Sequence, residues 1–116
     1  MHPAHSSSDQ PTEISARAAA ELTSTPGEGS PRNLLLDVRE ADEWAAGHAP
    51  QAVHIPMSEL NSRSSEIPTD QTIICVCHVG GRSAVVADAL NRAGWTALNL
   101  TGGMNAWEDA GLPVVR

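Results

Sequence analysis

Thr72-Ile73-Ile74-Cys75-Val76-Cys77-His78-Val79-Gly80-Gly81-Arg82-Ser83 is the stretch on which the reading of this chain turns. Thr72 to Cys77 is short, apolar and rich in β-branched residues, a pattern that suits a strand buried on both faces. From Ser83 the sequence takes helical spacing and runs, rich in alanine and valine, to Ala93, where Gly94 stops it. Cys77 therefore stands between the carboxyl end of a strand and the amino end of a helix, where open α/β sheets bind ligands. Unpaired backbone N–H groups and the positive end of the helix dipole favour negative charge there. Arg82 adds a full positive charge five residues on. Such surroundings lower a thiol's pKa and make it a nucleophile. Cys77 is the candidate reactive group.

Outward from this centre, strands and helices alternate. Thr12 to Ser15 reads as a short edge strand and Ala16 to Leu22 as a helix of good helix formers. Thr23 to Arg32, with two prolines and two glycines, reads as a loop. Asn33 to Arg39 is a buried strand with a charged end, and Glu40 to Ala46 a helix with acids in its first turn, stopped by Gly47. Ala52 to Ile55 is another strand between Pro50 and Pro56. Met57 to Asn61 suits a helical turn, and a polar loop follows to Asp70. Thr96 to Leu100 is a fifth strand. Thr101-Gly102-Gly103 then leads into a helix over Met104 to Ala110, ended by Gly111-Leu112-Pro113. This order predicts an α/β fold, a central parallel sheet of about five strands with helices on both faces. Residues 1–11 are polar and aperiodic, which predicts a disordered tail before a single domain over residues 12–116.

Composition narrows the function. At 116 residues the chain is one domain by length. Such a chain buries roughly over 60% of its unfolded surface, so no disulfide, structural metal or cofactor is needed to hold it. The formal charge of −7 argues against nucleic acid and against an anionic membrane surface, both of which need a basic face. Cys75 and Cys77 are one residue apart, too close for an unstrained bridge, and no second Cys/His pair stands at zinc spacing. The N-terminal residues hold no apolar core of signal-peptide length. The expectation is a soluble cytoplasmic protein, monomeric because so small a domain folds alone.

Four ordered motifs carry a resemblance to a known family. Cys77-His78-Val79-Gly80-Gly81-Arg82-Ser83 resembles the active-site loop of rhodanese-like domains, Cys-x-x-Gly-x-Arg-Ser. Leu35-Leu36-Asp37-Val38-Arg39-Glu40 with Glu43-Trp44 resembles its first internal motif, and Gly47-His48-Ala49-Pro50-Gln51-Ala52-Val53-His54-Ile55-Pro56 its second. Leu100-Thr101-Gly102-Gly103-Met104-Asn105-Ala106-Trp107, then Gly111-Leu112-Pro113, resembles its C-terminal signature. The likeness covers about residues 13–116. Ala49 departs from the usual bulky aliphatic, and Gln51 from a common glycine.

The resemblance implies a sulfurtransferase without a cofactor. Cys77 would take the outer sulfur of a small anionic donor such as thiosulfate, forming a persulfide, and pass it to a thiol, to cyanide or to a sulfur-relay protein. His78, Val79, Gly80, Gly81, Arg82 and Ser83 would curl around the sulfur as an anion-binding nest. Gly80 and Gly81 would supply positive φ or close approach, Arg82 would meet the donor's oxyanion or brace the loop, and Ser83 would cap the helix. Asp37 and Arg39, ending a neighbouring strand, read as an ion pair holding the loop, with direct donor binding as the alternative. Cys75, flanked by Ile74 and Val76, reads as inert core. His48 and His54 suit turn or packing roles, and Trp44, Trp95 and Trp107 suit packing anchors. Asp42, Glu43, Glu59 and Glu66 read as solvated charges.

Two rivals differ from turnover of sulfur. Cell-cycle phosphatases share the rhodanese fold and its cysteine, but their loop is one residue longer; the shorter spacing here favours sulfur over phosphate. A persulfide carrier serving a partner enzyme, with little thiosulfate turnover, is the other alternative.

Overall fold

Leu34, Leu35 and Leu36 lie beside Ile73, Ile74 and Cys75 in parallel register, so the two most apolar runs of the chain form the middle of the sheet. Apolar side chains leave both faces of these strands, and each face must be covered. In the computed structural model, which describes residues 12–24 and 33–116, helices cover both. The expected disordered tail over residues 1–11, and most of the expected loop over 23–32, lie outside the described residues. Thr23 and Ser24 instead complete the first helix.

The sheet has five strands: β1 (Glu13–Ile14), β2 (Asn33–Asp37), β3 (Val53–His54), β4 (Thr72–Val76) and β5 (Thr96–Leu100). All pair in parallel, in the order β1-β5-β4-β2-β3. The helices are α1 (Ala16–Ser24), α2 (Ala41–Ala46), α3 (Leu60–Arg63), α4 (Gly81–Arg92) and α5 (Gly103–Asp109). On one face Leu36, Ile73 and Cys75 pack with Val86 and Leu90 of α4 and with Leu60 of α3. On the other, Leu35, Ile74 and Val76 pack with Ala16 and Ala19 of α1 and with Met104 and Trp107 of α5. Trp107 is fully buried, and its indole N–H donates to the Pro113 carbonyl at 2.7 Å.

Three local expectations need correction. The polar run after Asn61 is not a loop throughout: α3 continues to Arg63 and a 3₁₀ turn follows over Ser64–Glu66. Exposed ion pairs from Arg63 to Glu59 and Glu66 support it, and these leave no apolar periodicity to read. α4 begins at Gly81 rather than Ser83, because Gly80 takes φ +110° and its carbonyl already accepts the Ala84 N–H. Ser83 is therefore inside the first turn and not its cap. The departures at Ala49 and Gln51 are accommodated: Ala49 is fully buried against Leu35 and Trp107, and the Gln51 amide donates to Thr23 Oγ1 at 3.2 Å.

β2 ends on a buried ion pair. The Arg39 guanidinium spans both Asp37 oxygens at 2.8–3.1 Å and donates to the Gly47 carbonyl at 2.7 Å. Asp37 is wholly buried and Arg39 nearly so. The pair thus braces the turn that closes α2, rather than the Cys77 loop itself. Next to it Trp44 lies between two imidazoles, stacked on His48 at 3.5 Å and on His54 at 4.6 Å. Both histidines are held by backbone, His48 Nδ1 against the Trp44 carbonyl and His54 Nε2 against that of Arg39. Deleting one partner of a buried pair leaves an uncompensated charge, so Asp37→Ala is expected to cost about 3–5 kcal/mol in urea denaturation. A loss under about 1 kcal/mol would show that Arg39 is not held by this pair.

Candidate active site

Cys77 follows β4 on the α4 side of the sheet, in step with Ile73 and Cys75. The chain then folds over its own sulfur. Two bonds from α5 hold that fold: Met104 N–H donates to the Cys77 carbonyl at 2.8 Å and Asn105 N–H to the His78 carbonyl at 3.1 Å. In a trans peptide the N–H points opposite the C=O. With both carbonyls drawn to α5, the Val79 N–H, on the opposite edge of the His78 peptide, turns back toward the sulfur. This contact needs Gly103, where an added Cβ would lie 2.4 Å from the Cys77 oxygen and 2.5 Å from that of His78.

Further donors join the Val79 N–H as the chain curls through Gly80 into α4. Gly80 N–H reaches Cys77 Sγ at 3.1 Å, Ser83 N–H at 3.4 Å and the Ser83 hydroxyl at 3.3 Å. Of the two loop glycines only Gly80 has positive φ; a Cβ on Gly81 would meet nothing, so the expectation for Gly81 does not hold. His78 and Val79 face solvent on the rim. Ser83 is buried and also meets Asn99 Oδ1 at 2.5 Å. The Asn99 amide is fixed from its other end, where Nδ2 donates to the Glu13 carboxylate and to the Gly80 carbonyl. Ser83 has one hydroxyl proton for two acceptors. A thiolate at Cys77 draws it to sulfur; a thiol leaves it on Asn99.

The two cysteines therefore diverge. Burial pushes the Cys77 thiol up, but the Ser83 hydroxyl and the Ser83, Gly80 and Val79 N–H groups outweigh it, and the pKa falls below that of an ordinary thiol. Cys75 has burial without donors and the Cys77 charge beside it, and is pushed up to about 12. It is core. Cys77 is only 1% exposed, which alone would suit a structural thiol. The converging amides are what a structural thiol lacks.

Arg82 does not stand free over the sulfur. Its Nη1 and Nη2 pair with the two Glu43 oxygens at 2.7 and 2.8 Å. These bonds hold the Glu43 carboxyl down at about 2, against the opposing effect of its partial burial. Glu43 is thus part of the site's rim and not a free surface charge. Beside the loop a recess of about 300 Å³ is lined by Arg39, Glu43, Gly47, His78, Met104 and Glu108. Among the described residues no cluster of His, Cys, Asp and Glu could hold a metal ion, and no helix is long and apolar enough to cross a membrane.

Known proteins share this fold. The model of the rhodanese-like domain matches residues 18–110. The chain belongs to the rhodanese-like domain family. A sulfurtransferase from Allochromatium vinosum is 41% identical over 83 residues, covering 71% of this chain and 78% of that one. A rhodanese-related protein from Thermoplasma volcanium superposes with a TM-score of 0.78 at 29% identity, covering 89% of this chain and 96% of its own. A rhodanese-like domain protein from Staphylococcus aureus gives 0.75 at 30% identity, over 90% of this chain and 99% of its own.

Three residues of this rhodanese-like domain escaped the sequence reading as parts of the site. Asn99 is a buried polar residue inside an apolar strand, a signal that could have been used. Gly103 is the second of a glycine pair at a strand end, a mark of close backbone approach. Glu43 had no such signal, because its partner is 39 positions away. Ser83→Ala removes a donor that favours the charged sulfur. The midpoint of Cys77 alkylation by iodoacetamide is expected to rise by about one pH unit; an unchanged or lower midpoint would remove Ser83 from the account.

Proposed function

We propose that this domain moves sulfane sulfur from a donor such as thiosulfate to a thiophilic acceptor through a persulfide on Cys77. The observation that carries the proposal is the convergence of the Gly80 N–H, the Ser83 N–H and the Ser83 hydroxyl on one sulfur atom. A Cys77 thiolate attacks the outer sulfur of the donor. A new S–S bond forms, the donor's own S–S bond breaks, and its electron pair leaves on the departing group, sulfite in the case of thiosulfate. The product, Cys77–S–S⁻, again bears one negative charge, and the same donors face it. An acceptor thiolate or cyanide then attacks the outer sulfur and returns Cys77 as thiolate. One transfer becomes two easier ones. His78 and Val79 on the rim are the loop side chains a donor meets first.

A second reading has its own observation. With Arg82 paired to Glu43, its guanidinium is not free to wait for sulfite, which suits a persulfide carrier handing sulfur between proteins. Both readings need free thiols and fit a reducing cytoplasm. Incubation with excess thiosulfate, followed by intact-mass measurement, is expected to add one sulfur, about 32 Da, to the wild type and nothing to Cys77→Ser. The same adduct on both proteins would exclude Cys77 as the acceptor.

A further inference from the structure

We propose that Glu43 sets the donor class: by holding Arg82 in a two-point ion pair it withholds positive charge from the mouth of the loop, so that the site takes sulfur from organic persulfides in preference to the thiosulfate dianion. This inference rests on Cys77 being the sulfur acceptor.

Both terminal nitrogens of Arg82 are engaged, and the two side chains are 38% and 31% exposed, so the pair lies at the rim where a donor arrives. Among the described residues, the other arginines near the recess are matched too. Arg39 is held by Asp37, and Arg116 lies 3.6 Å from Glu108. The chain has seven basic residues, all arginine, against fourteen acidic ones. A dianion at this mouth meets Arg82 with the Glu43 carboxylate 2.7 Å from its guanidinium, so the attraction of the cation is partly offset by repulsion from its partner. What remains is the amide cradle, which suits one negative charge on one sulfur. Thiosulfate brings two charges and releases sulfite with two. A persulfide R–S–S⁻ brings one and releases R–S⁻ with one: Cys77–S⁻ bonds to the outer sulfur, the donor S–S bond breaks, and its electron pair leaves on the thiolate.

The test changes donor charge while keeping the chemistry. Thiosulfate and methanethiosulfonate both give up an outer sulfur, releasing sulfite and methanesulfinate, but the first carries one more negative charge. Glu43→Gln keeps a side-chain acceptor for the Glu40 N–H, a bond that Glu43 makes at 3.1 Å at the start of α2. At pH 8, where imidazoles carry little charge, the ratio of kcat/KM for thiosulfate to that for methanethiosulfonate is expected to rise on the order of tenfold in Glu43→Gln at low salt. The gain should shrink as ionic strength rises and vanish in Glu43→Gln/Arg82→Met. Any change in Cys77 ionisation affects both donors alike and leaves the ratio unmoved. An unchanged ratio, with sulfur still loaded on Cys77, would overturn the role of Glu43 alone. Failure of the wild type to load sulfur from either donor would overturn the underlying reading as well.

Discussion

Met104 and Asn105 donate their amides to the carbonyls of Cys77 and His78, and through those two bonds one helix decides what the neighbouring loop can bind. A loop left to itself would satisfy its polar groups with water. Here the Cys77 and His78 carbonyls are taken by the first turn of α5, and the Val79 N–H opposite the second of them is left to the sulfur. The carbonyls can reach α5 only because residue 103 has no Cβ. Gly80 completes the curl by taking φ +110°, which lets α4 start close enough to bring the Ser83 N–H to the sulfur. Sheet order supplies the rest: β5 lies beside β4, so the helix after β5 begins next to the loop after β4.

Around this cradle the charges are arranged in matched pairs. Asp37 holds Arg39 and Glu43 holds Arg82. The buried Asp37 pair secures the end of β2 and the turn at Gly47, where a lost partner would cost several kcal/mol. The Glu43 pair is half-exposed, so its contribution to stability is small. Its effect is on potential: it offsets the positive charge of Arg82 at the rim of the loop. The Cys77 thiol is held below its ordinary range by hydrogen bonds from the Ser83 hydroxyl and the Ser83, Gly80 and Val79 amides.

The strands were legible because fully buried parallel strands leave short apolar runs between glycine and proline breaks, and β2, β4 and β5 all carry that mark. Cys77 was legible for the same reason, as a thiol at a strand end followed by glycines. The third turn of structure after β3 was not, because Asn61 to Glu66 is held by ion pairs and backbone bonds rather than by an apolar stripe. Ser83 was placed in the right loop with the wrong task. Its residue type suits a cap, but the positive φ at Gly80 starts the helix earlier and turns the hydroxyl inward to Asn99 and the sulfur. Pairings across the chain, such as Glu43 with Arg82 and Glu13 with Asn99, follow from sheet order and have no local trace.

The account stands on amides that respond to the charge of one sulfur. Amide proton and nitrogen shifts followed by NMR across pH 5 to 9 report that response directly. The Gly80 and Ser83 amides are expected to titrate together, with one midpoint below the ordinary thiol value of about 8.5, and to fall silent in Cys77→Ser. Amides that do not move in this range, or move equally without the thiol, would contradict it.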